Sequence, residues 1–274
     1  MARYETLTYA VDDRVASITF NRPERMNAFS KQLVDDIMAS IAEADADPEV
    51  RVLILSGAGG KAFSAGYDIK ESITSGGPRR GEPAWRERLK KDLRFCYAPW
   101  DCSKPVIAMI DGFCLAGALE FAQMCDIRYC SDDAKFGVLE SRFAAGVVTM
   151  IMPWILGAAC RELIYTGDTI GALEAQRLGL VTRAYPKAEL PGAVMKIAKR
   201  MSRVADECLR WNKRSINQSF ETMGLRSALQ YGLEACLQLD NSGAPEFHQF
   251  DAIRREKGLA EAIRWRDGQF APFE

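Results

Sequence analysis

Apolar and polar residues alternate over positions 5–20 on either side of Asp12-Asp13, which predicts a β-hairpin ending at Asn21-Arg22-Pro23. The period then changes. Leu33, Ile37 and Ile41 recur every four residues behind Ser30, so a helix capped by that hydroxyl is expected to end near 45–48. Apolar runs at 52–55, 104–110 and 127–129 predict strands covered on both faces, the first closed by Gly57-Ala58-Gly59-Gly60 and the second by Asp111-Gly112. A helical run through Leu119, Phe121 and Met124 separates the last two. Strands alternating with helices over residues 1–200 predict an α/β core with parallel pairing. After Pro191 the segments 193–204, 206–220 and 226–239 read as helices, with no convincing strand.

The stretch 143–160 has Thr149 as its only polar residue and approaches the length of a membrane span. Pro153 interrupts it and Gly146 and Gly157 loosen it, so a buried loop and helix is expected instead. Together with the helices after Met201 it offers more apolar surface than a two-layer core should cover, which predicts self-association.

Composition narrows the chemistry. The chain has 274 residues, 48% apolar and 27% charged, as expected of a globular protein. Lys+Arg 36 against Asp+Glu 37 leaves a net charge of -1, so no global term favours nucleic acid or an anionic membrane. The eight cysteines form no C-x-x-C pair and His248 is the single histidine, so no Cys/His zinc site is expected and no metal is called for. A Ser-His or Cys-His hydrolase would have to rest on His248, which lies far from any nucleophile elbow. The cysteines read as buried thiols in a reducing compartment. With no basic and apolar leader at Met1, the expected location is the cytoplasm.

Acid-base chemistry therefore falls to carboxylates. Two glycine turns come first: Ala65-Gly66-Tyr67-Asp68-Ile69 follows a strand and opens a helix, and Leu115-Ala116-Gly117-Ala118 does likewise. Amides in a first helical turn lack intrahelical partners, so the N–H groups of Tyr67 and Gly117 could point at one oxyanion. Ordinary strand-to-helix turns would give the same glycines. Glu120 lies three residues after Gly117, on the same helical face, in the apolar stretch 116–124. Glu140 follows Phe136-Gly137-Val138-Leu139. Burial disfavours a charged carboxylate, so each glutamate is either paired, with Arg128 or Arg142, or catalytic.

Asn21-Arg22-Pro23 with Met26-Asn27-Ala28, then Ala65-Gly66-Tyr67-Asp68-Ile69, Asp111-Gly112 with Gly117 and Glu120, and Phe136-Gly137 with Glu140 run in order along nearly the whole chain. In this the sequence resembles the enoyl-CoA hydratase/isomerase (crotonase) superfamily. The resemblance implies an α/β fold built as a spiral of ββα units, with residues 1–200 as the core and 201–274 as a helical region that organises trimers, which pair into hexamers. It implies an enoyl-CoA hydratase with Glu120 and Glu140 as catalytic residues and the Tyr67 and Gly117 amides as oxyanion hole. Arg25, Ala65, Tyr67, Asp68, Ile69, Lys70 and Gly117 are then expected to bind the CoA thioester, with no cofactor beyond the CoA of the substrate.

Two departures bear on the substrate. Val147-Val148-Thr149-Met150-Ile151 stands where hydratases commonly have a glycine-rich loop, and Ala262, with Trp265 close by, stands where many members place an aromatic residue near a neighbour's pocket. Same-fold rivals are an isomerase, which generally manages with one glutamate, or other enolate chemistry. A non-catalytic RNA- or protein-binding member is a further alternative, supported only by Arg79, Arg80, Arg86, Arg88, Lys90, Lys91 and Arg94.

Overall fold

The computed structural model describes residues 4–74 and 83–273. The hairpin forms as β1 (Leu7–Asp12) and β2 (Val15–Phe20), with the turn one residue later than the alternation suggested. Asp13 and Arg14 both take positive φ, the conformation that lets a two-residue turn follow the twist of its strands. Helix α1 (Lys31–Ala46) begins as expected, with the Ser30 hydroxyl accepting from the Leu33 N–H at 3.2 Å.

From there the chain repeats one unit, a buried strand, a three-residue strand and a helix. The first turn is β3 (Val52–Gly57), β4 (Ala62–Ser64), α2 (Ile69–Thr74) and α3 (Pro83–Asp101). The second is β5 (Val106–Ile110), β6 (Phe113–Leu115) and α4 (Gly117–Gln123). The third is β7 (Ile127–Ser131), β8 (Lys135–Gly137), a 3-10 turn at Leu139–Phe143, α5 (Met152–Leu156) and α6 (Cys160–Thr166). Then follow β9 (Thr169–Gly171), α7 (Ala172–Leu178) and β10 (Arg183–Tyr185). The long strands and the short β10 make one sheet, β1-β2-β3-β5-β7-β10, parallel from β2 onward, and the other short strands a second, β4-β6-β8-β9. This is the expected α/β spiral. The corner between β5 and β6 needs Gly112, whose φ is +72° and where a Cβ would run into the Lys61 carbonyl.

After Tyr185 the described chain is helical: α8 (Leu190–Met201), α9 (Asp206–Thr222), α10 (Leu225–Asn241), α11 (Pro245–Lys257) and α12 (Leu259–Gly268). Phe20, Phe29, Phe63, Phe95 and Phe121, from β2, β4, the loop before α1 and helices α3 and α4, form a connected aromatic core, with Phe95 stacked on Phe121 at 4.5 Å.

In the apolar run Val148, Ile151, Met152, Leu156 and Cys160 are buried within the chain, whereas Pro153, Gly157, Ala158 and Ala159 are exposed. Helices α11 and α12 lie against the 3-10 turn of the same chain, with the Arg142 guanidinium 4.3 Å from the Phe270 ring centroid and Ala262 buried within the chain. Cys208 is exposed, unlike the other seven cysteines. Among the described residues no helix is long and apolar enough to cross a membrane.

Candidate active site

The N-terminal motif builds the first amide. Asn27, fully buried at positive φ, accepts from the Arg22 N–H at 3.0 Å and donates to the carbonyls of Ala58 and Ala62 at 2.9 and 2.8 Å, pinning the loop before α1 to the β3–β4 corner. The Ala65 N–H then donates to Met26 O, Phe29 N–H to Gly66 O, and Asp68 N–H to Phe29 O. This one-rung bridge ties the amides on either side of Tyr67 and turns its own N–H outward, without a partner among the described residues. Asp68 holds the turn: one oxygen meets Arg22 at 3.0 Å, and the other accepts from Lys70 and Glu71 N–H at the start of α2.

The second amide stands at the head of α4. Ala116 takes φ 54°, a costly conformation for a residue with a Cβ, while its N–H is fixed to Gly137 O at 2.9 Å. Gly117 follows as the first helical residue, where its N–H has no intrahelical acceptor. The two turns meet: a Cβ on Gly66 would stand 3.2 Å from Gly117 N, and one on Gly117 would stand 2.5 Å from the Tyr67 ring. Only glycine lets the ring and the helix end approach so closely.

Glu120 is 4% exposed and its Oε2 accepts from the Thr149 N–H at 2.6 Å. Glu140 sits in the 3-10 turn, just after the β8 end that anchors Ala116, and its Oε2 is closed from solvent without a hydrogen-bond partner. Burial pushes both carboxyl groups above the ordinary range. For Glu120 the Thr149 N–H draws it part of the way back, while for Glu140 the charge of Glu120 pushes further in the same direction. Two carboxyls buried side by side favour sharing a proton over carrying two charges.

The ion-pair alternatives do not form. Arg142 pairs with Asp168 and donates to Thr166 O, and Arg128 donates to the carbonyls of Leu180, Gln123 and Cys125. Arg25 and Lys70 are exposed, Arg25 in the 3-10 turn Pro23–Arg25. In the basic segment Arg86, Arg88 and Lys90 pair with Glu234, Asp92 and Glu87, whereas Arg79 and Arg80 lie outside the described residues. His248 is exposed.

Sequence reasoning missed three groups around Glu120. Thr149 supplies the hydrogen bond that fixes it, and its isolation in an apolar run was the available signal. Asp92 and Cys96, one turn apart on α3, were hidden in a segment that reads as a solvated charged face. Burial raises the Asp92 carboxyl to about 6 despite Arg88 at 3.0 Å.

A parallel α/β spiral that brings two unpaired amides and a buried carboxyl pair to one place defines a class of enolate-handling proteins. The chain belongs to the enoyl-CoA hydratase/isomerase family, whose pattern matches residues 11–241. It is 32% identical over 275 residues to a probable enoyl-CoA hydratase of Mycobacterium bovis, covering 97% of this chain and 98% of that protein. It is 32% identical over 225 residues to a crotonyl-CoA hydratase of Syntrophomonas wolfei, covering 80% and 84%. A crystal structure of an enoyl-CoA hydratase/isomerase from Xanthobacter autotrophicus Py2 superimposes with TM-score 0.93 at 38% identity, over 97% of this chain and 99% of that one.

Proposed function

We propose that this protein is an enoyl-CoA hydratase, adding water across the α,β double bond of an acyl-CoA thioester. The observation that carries the reading is the carboxyl pair: Glu120 fixed by a backbone N–H, and Glu140 beside it, unpartnered and pushed towards its protonated form. The thioester oxygen would accept from the Tyr67 and Gly117 amides, which stabilise the enolate by ~3 to 4 kcal/mol for such a donor. Glu120 takes a proton from water as its oxygen adds to Cβ, and Glu140 gives a proton to Cα. Asp68 acts on this reading by holding the turn, Ala65 and Ile69 flank the thioester, and the exposed Arg25 and Lys70 meet the nucleotide of CoA. No cofactor beyond the substrate's CoA is needed, and the reaction suits a cytoplasmic enzyme of fatty acid metabolism.

Assembly as a trimer, or a hexamer of paired trimers, is part of this proposal. Its support is the exposed apolar side chains along α9, its C-cap and α10, where Trp211, Ile216, Met223 and Tyr231 are 58 to 77% exposed. Light scattering at low micromolar concentration tests it, and a monodisperse species near 30.5 kDa would overturn it.

The deciding experiment for activity is incubation with crotonyl-CoA and longer 2-enoyl-CoA thioesters, followed by loss of the conjugated absorbance. If none is consumed while a 3-enoyl-CoA is isomerised, the two glutamates serve proton shuttling alone and hydration is the wrong reading.

A further inference from the structure

The two buried glutamates are aimed by different means. Glu120 has its carboxylate fixed by a donor from another element, the Thr149 N–H at 2.6 Å. Glu140 has no such donor among the described residues: its Oε2 is unpartnered, and the N–H that acts on its carboxyl is its own. Its direction is inherited from the backbone of the 3-10 turn, and the two side chains after it fasten that turn to the end of α6. Ser141 Oγ donates to Ile164 O, and Arg142 Nε donates to Thr166 O at 3.1 Å. Both acceptors are last-turn carbonyls for which a helix has no donor of its own, at the end where its dipole favours a cation. A second guanidinium nitrogen pairs with Asp168, just beyond the helix, and the Phe270 ring, just after α12, covers the guanidinium at 4.3 Å. Only 8% of the Arg142 side chain is exposed. Gly167 leaves room for it, since a Cβ there would stand 2.7 Å from Arg142 Cγ.

We propose that Arg142 is a positioning residue for Glu140: by locking the turn to α6, Asp168 and Phe270, it sets where the second carboxyl meets Cα of the acyl group. It touches no reacting atom. Arginine suits the task because its planar fork reaches a carbonyl and a carboxylate at once while a ring lies on its face, whereas lysine offers one nitrogen and no plane. This role rests on the acyl-CoA reading of the site, and it gives the C-terminal end of the chain a part in the proton transfer.

Variants at Arg142 separate aim from folding. Three quantities are measured: kcat for hydration of crotonyl-CoA, the stoichiometry and Kd of butyryl-CoA binding, and exchange of the Cα protons of butyryl-CoA with D2O, followed by NMR. In that exchange ionised Glu140 takes a proton from Cα as the thioester oxygen gains enolate charge, and a solvent deuteron carried by Glu140 returns to Cα. No water adds, and Glu140→Gln marks the floor. Arg142→Met should lower both rates about 100-fold, the scale of a ~1 Å misplacement, with Kd unchanged. Arg142→Lys and Phe270→Leu should fall between that variant and wild type. If Arg142→Met does not fold, these two carry the test. A merely structural role would lower the number of binding sites and leave the rates per occupied site as they were. That result, unchanged rates in every folded variant, or failure of all three to fold would overturn the assignment. Wild-type protein that exchanges Cα protons without hydrating any 2-enoyl-CoA would sink the hydratase reading and leave the role of Arg142 to be read from exchange alone. Wild-type protein that does neither would overturn both.

Discussion

The Thr149 N–H donates to Glu120 Oε2 at 2.6 Å, joining a loop within the third spiral turn to the helix of the second. A backbone donor cannot rotate away, so the loop sets the direction of the carboxylate as firmly as its own helix does. The loop is seated in turn by Gly146, where a Cβ would stand 2.6 Å from the Cys236 backbone on α10. Gly146→Val should lift the loop and lower kcat by about 100-fold, the scale of a ~1 Å misplacement. Unchanged kcat in a stopped-flow hydration assay would show that Glu120 needs no such anchor.

Replacement of either glutamate by glutamine keeps shape and removes proton exchange. Glu120→Gln and Glu140→Gln should each lower kcat about 100- to 10,000-fold, the usual contribution of a general acid or base, with far less effect on the Kd of a saturated acyl-CoA. Near-normal turnover in Glu120→Gln would identify a single-glutamate isomerase.

The pH dependence follows from the two raised carboxyls. Activity requires Glu120 ionised and Glu140 protonated, so kcat/KM should rise with pH well above the ordinary carboxylate range and fall again when the pair loses its last proton. A rising limb at the ordinary glutamate value would mean that the pair is hydrated and uncoupled.

Stability should shift with the same proton. The folded-state pKa of Glu140 is raised, so the folded chain binds the proton more tightly than the unfolded one. That contribution is full below the unfolded pKa and is lost as pH rises towards the folded value. Glu140→Gln, which cannot ionise, should melt close to wild type at about pH 5 and progressively above it towards pH 9. A melting difference independent of pH would contradict the assignment.

Glycine positions separate necessity from convenience. Gly192 lies inside α8 with nothing near its missing Cβ, so Gly192→Ala should stabilise by about 0.5 to 1 kcal/mol. Gly112→Ala should destabilise by more than that, through both its positive φ and the Lys61 carbonyl. Thermal melts of the two variants moving in the same direction would refute this contrast.

The sequence made β3 and β5 legible because each is an apolar run before a glycine turn, and β1 and β2 legible by their alternation. It did not reveal β4, β6, β8, β9 or β10, since three residues are too few to establish a period of two. The short strands matter all the same, for β8 ends at the carbonyl that fixes Ala116. Glu120 and Glu140 stood out as carboxylates in apolar surroundings, and Gly117 by its place at a helix start. Asp92 was invisible for the opposite reason: among Arg88, Lys90, Lys91 and Arg94 a carboxylate looks like one member of a solvated charge pattern, and only the packing of α3 shows which face is inward.

The packing of α11 and α12 on the turn that carries Glu140 also orders events during synthesis. The main core already includes Leu225, Leu229, Leu233 and Cys236 of α10, and the support of the second glutamate arrives only with the last helices to leave the ribosome. A chain cut after α10 would therefore hold its sheets and lack the backing of Glu140, so the geometry of that turn becomes complete only in the final step of maturation.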